Sequence, residues 1–356
     1  MQKLEKNKIS QSGIPPLFIW GLAFPLAFLN LWLLVYALEP LKPLASLVIT
    51  ASLIAFLLSY PIRFLEKLGL KRSWAIAIVL LLALLLVTAL VAIILPLLIG
   101  QLNGLLNNLP GWIESGKENL KKLELWVATQ NYPVSLTQII TETTDKLSNE
   151  LKFLSSQILG FILGTFTSAL NALITFVLTV LLVINGDKVV IGLLSWLSPN
   201  WHNYIKNSLQ ETFQNYFVAQ SLLAVVLGTA LTIAFTLLQV PYSLLFGSII
   251  GITALIPFAA VISITFTSIL IGFYNISLGI KVLLVAVVIV QINDNFVAPR
   301  LMGDITGLNP FWVVISLLIG GKLGGVLGLL LAVPLASFIK RTADKLRAEK
   351  IEVNTL

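Results

Sequence analysis

The chain has no cysteine, a single histidine and only 11% charged residues among its 356 positions. Without thiols there is no disulfide framework, no thiolate metal site and no thiol nucleophile, and the redox compartment leaves no trace in the composition. With His202 as the one imidazole, multi-histidine metal sites are closed too. No metal site and no cofactor is therefore expected. The chain also lacks a Gly-x-x-x-x-Gly-Lys-Ser/Thr loop, which excludes nucleotide hydrolysis by this subunit. A nucleophile elbow with a placed histidine is missing, and Asp187, Asp294 and Asp304 make no obvious facing pair for an intramembrane aspartyl protease. The reading is that the chain is not an enzyme.

What remains is apolar. Hydrophobic residues make up 57% of the chain and the mean hydropathy is +0.95. Such a composition describes a polytopic, all-α membrane protein. The net charge of +7 does not point to nucleic acid, because the basic residues cluster beside apolar runs, where they meet anionic lipid and fix orientation.

Runs long enough for the roughly 20 residues of a crossing are Leu17–Leu38, Pro43–Tyr60, Trp74–Ile99, Leu154–Ile184, Phe217–Gln239 and Leu278–Val297. The first is too long, and lacks the small-residue cleavage site, to be a signal peptide. Lys3, Lys6 and Lys8 before it, and Arg63, Lys67, Lys71 and Arg72 after the second run, place both segments in the cytoplasm. Trp201, Ile205, Leu209, Phe213 and Tyr216 share one helical face. They suit either a helix lying along the inner membrane surface or an extension of the following span.

Tyr242–Tyr274 and Pro310–Ile339 are too long for one span and carry internal breaks. With the tail basic at Lys340, Arg341, Lys345, Arg347 and Lys350, parity requires each to begin and end on the same side. Each therefore reads as a broken or re-entrant helical hairpin in the C-terminal half. The first turns at Pro257, which removes a backbone donor. The second turns at Gly320, Gly321, Lys322, Leu323, Gly324 and Gly325, where the backbone can reverse. Hairpins dipping from opposite faces suit a carrier that holds substrate between broken helices; full-length paired crossings keep the same topology.

Between the hairpins lies the polar stretch. Gln291 and Asn295 share a helix face at i, i+4. Asp294 is expensive at membrane depth unless paired or hydrated, with Arg300 as the nearest counter-charge; it reads as a functional residue or an interfacial cap. Lys322 reads as a substrate or ion contact, or as a side chain snorkelling to water. Gln291, Asp294, Asn295 and Lys322 are the candidate substrate or ion ligands.

The run Gln291-x-x-x-Asn295-x-x-x-Pro299-x-x-x-Gly303-x-x-x-Gly307-Leu308-x-Pro310, followed by Ile319-Gly320-Gly321 and Ala332-Val333-Pro334-Leu335, resembles the AI-2E (autoinducer-2 exporter-like) transporters. Val240-Pro241-Tyr242 with Gly247, Ile256-Pro257-Phe258 and Tyr216-Phe217-Val218-Ala219-Gln220 fit the same pattern. The resemblance implies a secondary transporter of the inner or plasma membrane, assembled as a homo-oligomer. Its partners would be the lipid bilayer, a small polar solute such as autoinducer-2, and sodium or a proton. Pro299, Gly303, Gly307 and Pro310 become candidate hinges beside the hairpin residues. The chain departs from the family at Ala260 and Val261, where glycine and proline are usual, and at Asn309, where a histidine is common and asparagine cannot titrate.

The expected organisation is three spans in residues 1–100 and an external helical segment in 101–153. Residues 154–200 hold the fourth span and the start of a cytoplasmic connection, 201–340 a transport domain with interfacial helix and hairpins, and 341–356 a cytoplasmic tail. In the external segment, Ser135 with Gln138 forms a capping box. Ile140, Leu147, Leu151, Leu154 and Ile158 form a seam that suits a collar between subunits or a cover over one subunit, as do Leu102, Leu105, Leu109 and Trp112 upstream. A channel or passive scaffold is the alternative to a carrier.

Overall fold

A computed structural model describes residues 29–30, 33, 41–129, 165–302 and 308–354. These belong to two compact units, 1–48 and 49–356. In the first, residues 29, 30, 33 and 42–48 are helical. All that follows concerns the second.

The elements are α1 (Lys42–Lys67), α2 (Arg72–Thr129), α3 (Thr165–Leu194), α4 (Pro199–Leu237), α5 (Ser243–Thr253), α6 (Ala259–Tyr274) and α7 (Ile276–Ile292). A π-turn (Asn293–Val297), α8 (Ala298–Met302) and α9 (Pro310–Asn354) complete the order. No strand occurs among the described residues. Among the described residues six helices are long and apolar enough to cross a membrane: Lys42–Lys67, Arg72–Asn119, Ala169–Leu194, Pro199–Leu237, Ile276–Leu301 and Pro310–Glu349. The chain is a polytopic helical membrane protein.

One boundary differs from the sequence reading, and a second, left open there between two alternatives, is decided. The third span does not stop at Ile99: α2 runs 58 residues, about 87 Å at 1.5 Å per residue. The change from an apolar to an amphipathic pattern near Gly100 alters the helix's surroundings without ending it, and the helix continues through Pro96 and Pro110, each of which forfeits one backbone hydrogen bond. Likewise Trp201–Phe217 is no separate surface helix. It is the first half of the 39-residue α4, which has Pro199 and Ser198 at its start and no breaker between Trp201 and Phe217.

The apolar packing is divided among three clusters. Ala55 and Ile62 of α1, Ala75, Ile76 and Val79 of α2 and Val183 of α3 form one. Beyond them Leu81, Leu82, Leu85 and Leu86 are exposed, as suits a lipid-facing surface. The largest cluster joins Leu102, Leu105, Leu109 and Trp112 to Leu231 and Phe235 of α4, Ile250 of α5, Leu270 and Ile271 of α6 and Val282 of α7. The Leu102–Trp112 face therefore covers its own subunit's helices rather than waiting for a partner. The capping box at Ser135 and the Ile140–Ile158 seam lie outside the described residues, as do the span Leu17–Leu38 for the most part, Gly303, Asp304 and Gly307.

Both hairpins are present. In the first, α5 descends and α6 returns, with the turn at residues 254–258 around Pro257. Its arms of 11 and 16 residues reach about 16 and 24 Å, short of the ~30 Å hydrocarbon core. In the second, Gly325 adopts φ 56 and ψ −134, a conformation glycine reaches without a Cβ clash, and α9 doubles back there. Pro310 opens this arm behind Asn309, whose Oδ1 accepts from Phe311 N at 3.0 Å. The residue that departs from the family's histidine is thus a helix cap.

One end of the bundle is basic and held by polar contacts. Asp187 accepts from Arg72 and pairs with Lys206, both at 3.3 Å. Gln210 meets Arg63. On the far arm of α9, Arg341 donates to Thr212 Oγ1 at 3.1 Å and pairs with Glu211 at 3.7 Å. The first half of α4 is the strut against which α1, α3 and α9 are tied, and α2 joins it through Asp187 of α3.

Candidate functional site

α4 also serves as the ruler for depth. α5 packs antiparallel on it with almost nothing between the backbones: a Cβ on Gly228 would stand 3.0 Å from Gly251 Cα, and one on Gly247 would stand 2.8 Å from Thr232 Cα. This close approach seats the end of α5 beside Gln220, whose Nε2 donates to the Ala254 carbonyl at 2.6 Å. Thr253 Oγ1 receives Ser263 Oγ at 2.9 Å across the same turn. At the turn's end Phe258 has φ 68, a left-handed conformation that costs a bulky residue about 1–2 kcal/mol.

The second hairpin climbs the same ruler from the basic end. Lys345 lies over Tyr204, Arg341 reaches Thr212, and Val333 packs with Tyr216 and Phe217. Continued at the same rise, this register sets Gly325 level with about residue 225 of α4. That is the stretch the first hairpin reaches from the opposite side, since Gly251 faces Ala224 O and Gly228.

The polar stretch arrives at this level by a third route. Gly279 of α7 abuts Gly272 and Ser268 of α6, so α7 runs antiparallel to α6 and Gln291 comes level with about Ala260. There the helix widens. Ala298 N donates to Asn293 O, five residues back, and such π-turns concentrate at functional positions. Pro299 has no amide to give the preceding turn, so one carbonyl there, that of Asp294 or of Asn295, lacks its helical donor. The π-turn and α8 both pack on α4.

Within this turn Asn295 Nδ2 donates to Gln291 Oε1 at 2.8 Å and to Gln291 O at 2.9 Å. The i, i+4 pair seen in the sequence is therefore bonded, with both side chains exposed. Asn293 is 6% exposed; its Nδ2 donates to Asp294 Oδ1 at 3.1 Å, and its Oδ1 has no partner among the described residues. Asp294 makes no ion pair with Arg300; its carboxylate is turned toward the Asn293 amide instead. Lys322 is exposed three residues before Gly325 and forms no ion pair among the described residues.

The profile of the AI-2E family transporters matches residues 22–348. The chain belongs to the AI-2E transporter family. Two proteins of Synechocystis sp., both provisionally named transport proteins, are 35% identical over 91% of this chain and 94% of their own, and 37% identical over 96% and 87% respectively. A provisionally named permease of Escherichia coli (strain K12) is 24% identical over 82% of this chain and 84% of its own.

For this AI-2E chain, three polar groups were not singled out from sequence. Gln220 is a lone amide inside an apolar run, which is itself a signal at membrane depth. Asn293 was passed over because only its neighbours show helical spacing. Gln101, whose Oε1 accepts from Leu245 N at 2.8 Å, looks like a helix-surface residue until the first hairpin is docked on it.

Proposed function

We propose that this protein is a secondary transporter that moves a small polar solute or signal molecule across the cell inner or plasma membrane, with sodium or protons as the coupling ions to be tested. The observation that carries the reading is the end of the first hairpin seated on the Gln220–Gly228 stretch of α4, with the reversal of the second hairpin at about the same level by helical rise, beside a π-turn. Broken backbone at membrane depth is tolerated where it lines a polar path, and carriers place substrate between such breaks. Gln291, Asn295 and Asp294 would contact the solute or ion from the π-turn. Lys322 would approach from the second hairpin, whose Gly320, Gly321, Gly324 and Gly325 let backbone come close.

The basic end, with Arg63, Arg72, Lys206, Arg341 and Lys345, would face the cytoplasm under the positive-inside rule, leaving both termini inside. Residues 1–200 would form the frame of a homo-oligomer and 201–340 the moving part, with Pro299, Gly303, Gly307 and Pro310 as hinges. Relatives named as transport proteins and a permease support the class.

The test is uptake by the purified protein in liposomes, with imposed sodium and proton gradients and a panel of small polar solutes. Saturable, gradient-driven flux supports the carrier. Unsaturated current would replace it with a channel, and absence of flux for every solute and gradient would reduce the protein to a scaffold.

A further inference from the structure

A polar cavity of about 490 Å³ opens at the basic end between the first half of α4 and the far arm of α9. Its walls carry both signs of charge. Arg341 and Lys345 supply two cations, Glu211 and Asp344 two carboxylates. Arg341 is engaged by Glu211 and Thr212 and Lys345 pairs with Glu349 at 3.8 Å, each with donors to spare, whereas Asp344 makes no ion pair among the described residues. Ser208 lies in the wall, 7% exposed, and its Oγ has no hydrogen-bond partner among the described residues. A buried hydroxyl without a partner is destabilising, so a polar occupant is called for.

The depth of the cavity says where that occupant comes from. The apolar surface of α9 ends at Ile339, 63% exposed, and Arg341 stands only about 3 Å further along. On α4 the cavity lies below Phe213 and Phe217, and Trp201 and Tyr204 flank it as aromatic residues do at the boundary of hydrocarbon and water. A headgroup, rather than an acyl chain, occupies this layer.

The chemistry narrows the headgroup. A phosphate suits Arg341 and Lys345, but a purely anionic headgroup would leave Asp344 facing negative charge. A quaternary ammonium would need a free aromatic face, and Lys345 Nζ already sits 3.8 Å from the centroid of Tyr204 and 5.1 Å from that of Trp201. A primary ammonium can donate directly to the Asp344 carboxylate.

We propose that this cavity binds a zwitterion that joins a phosphate to a primary ammonium, supplied by an ethanolamine phospholipid of the adjoining leaflet. Arg341 and Lys345 hold the phosphate, Asp344 takes the ammonium, and the Ser208 hydroxyl gains its missing partner. The site is separate from the carrier reading and stands or falls without it.

The experiment is native mass spectrometry of the full-length protein released from vesicles of mixed phosphatidylethanolamine, phosphatidylglycerol and phosphatidylcholine. The wild type should retain phosphatidylethanolamine about tenfold over the other two, the size of one charge-assisted hydrogen bond. Asp344→Asn should bring phosphatidylethanolamine level with phosphatidylglycerol, and Ser208→Val should weaken retention of all three. N-acetyl phosphatidylethanolamine, which lacks the ammonium, should lose the preference on the unaltered protein, so the result does not depend on the variants folding. Equal retention of the three lipids by the wild type, or a preference that survives N-acetylation, overturns the proposal. Displacement of the lipid by soluble phosphoethanolamine would overturn the lipid as the source and assign the cavity to the free zwitterion.

Discussion

Gln220 Nε2 donates to the carbonyl oxygen of Ala254 at 2.6 Å, a side chain in mid-span holding the turn of a hairpin that entered from the other side. The last carbonyls of a short helix need partners when no water is at hand, and α5 ends at Thr253. One amide on α4 thus satisfies the hairpin and fixes its depth.

Gln220→Leu removes that donor while keeping volume and hydropathy suited to the span. Loss of a neutral hydrogen bond is worth about 0.5–1.5 kcal/mol, too little to unfold the bundle. Flux in liposomes should fall up to about tenfold with insertion and melting temperature close to wild type. Unaltered flux would show that the position of the turn does not matter to transport.

Gln291 and Asn295 are joined by a 2.8 Å hydrogen bond, so they should act as one group. Gln291→Ala and Asn295→Ala are each expected to reduce flux with membrane insertion and assembly intact. The double variant should be no worse than the more impaired single, since bonded partners give non-additive changes. Full transport by both single variants would remove the pair from the site.

Lys322 ends near the reversal at Gly325 with no carboxylate beside it among the described residues. Lys322→Met keeps the stem and deletes the charge. The expectation is a shift in apparent substrate affinity or in sodium and proton dependence, read from dose–response curves in the same liposomes. Superimposable curves would leave only a lysine reaching for water.

The hairpins were legible in the sequence because proline and glycine interrupt apolar runs at Pro257 and at Gly320–Gly325, and because the parity of basic loops forbids odd crossings. The bonded pair Gln291 and Asn295 was legible as an i, i+4 spacing. The length of α2 was not, since a helix passes from lipid into an amphipathic stretch and here continues through Pro96 and Pro110, which as local signals would end it. Nor was the fate of the Leu102–Trp112 face: an apolar stripe does not state what it covers, and only the docked hairpin, with Asn108 Nδ2 donating to Tyr242 Oη at 2.7 Å, answers that. Arg300 was named as the counter-charge to Asp294 by proximity in sequence, whereas widening of the helix at Asn293 turns the carboxylate toward its neighbour's amide.

The reversal of the second hairpin gives a stability test with its own control. Gly320 and Gly328 approach across the two arms so closely that a Cβ on Gly320 would collide with the Gly328 carbonyl oxygen and stand 3.0 Å from Ala332 Cβ. Backbone cannot step aside as a flexible side chain can, and overpacking of this kind costs about 1–3 kcal/mol. Gly324, four residues on, would find nothing within 4 Å of an added Cβ. Gly320→Ala should therefore lower the melting temperature in detergent and slow flux, while Gly324→Ala, inside the same glycine-rich run, should change neither by much. If the two alanines behave alike, the arms do not pack at Gly320 and Gly328, and Gly325 is not where the chain turns.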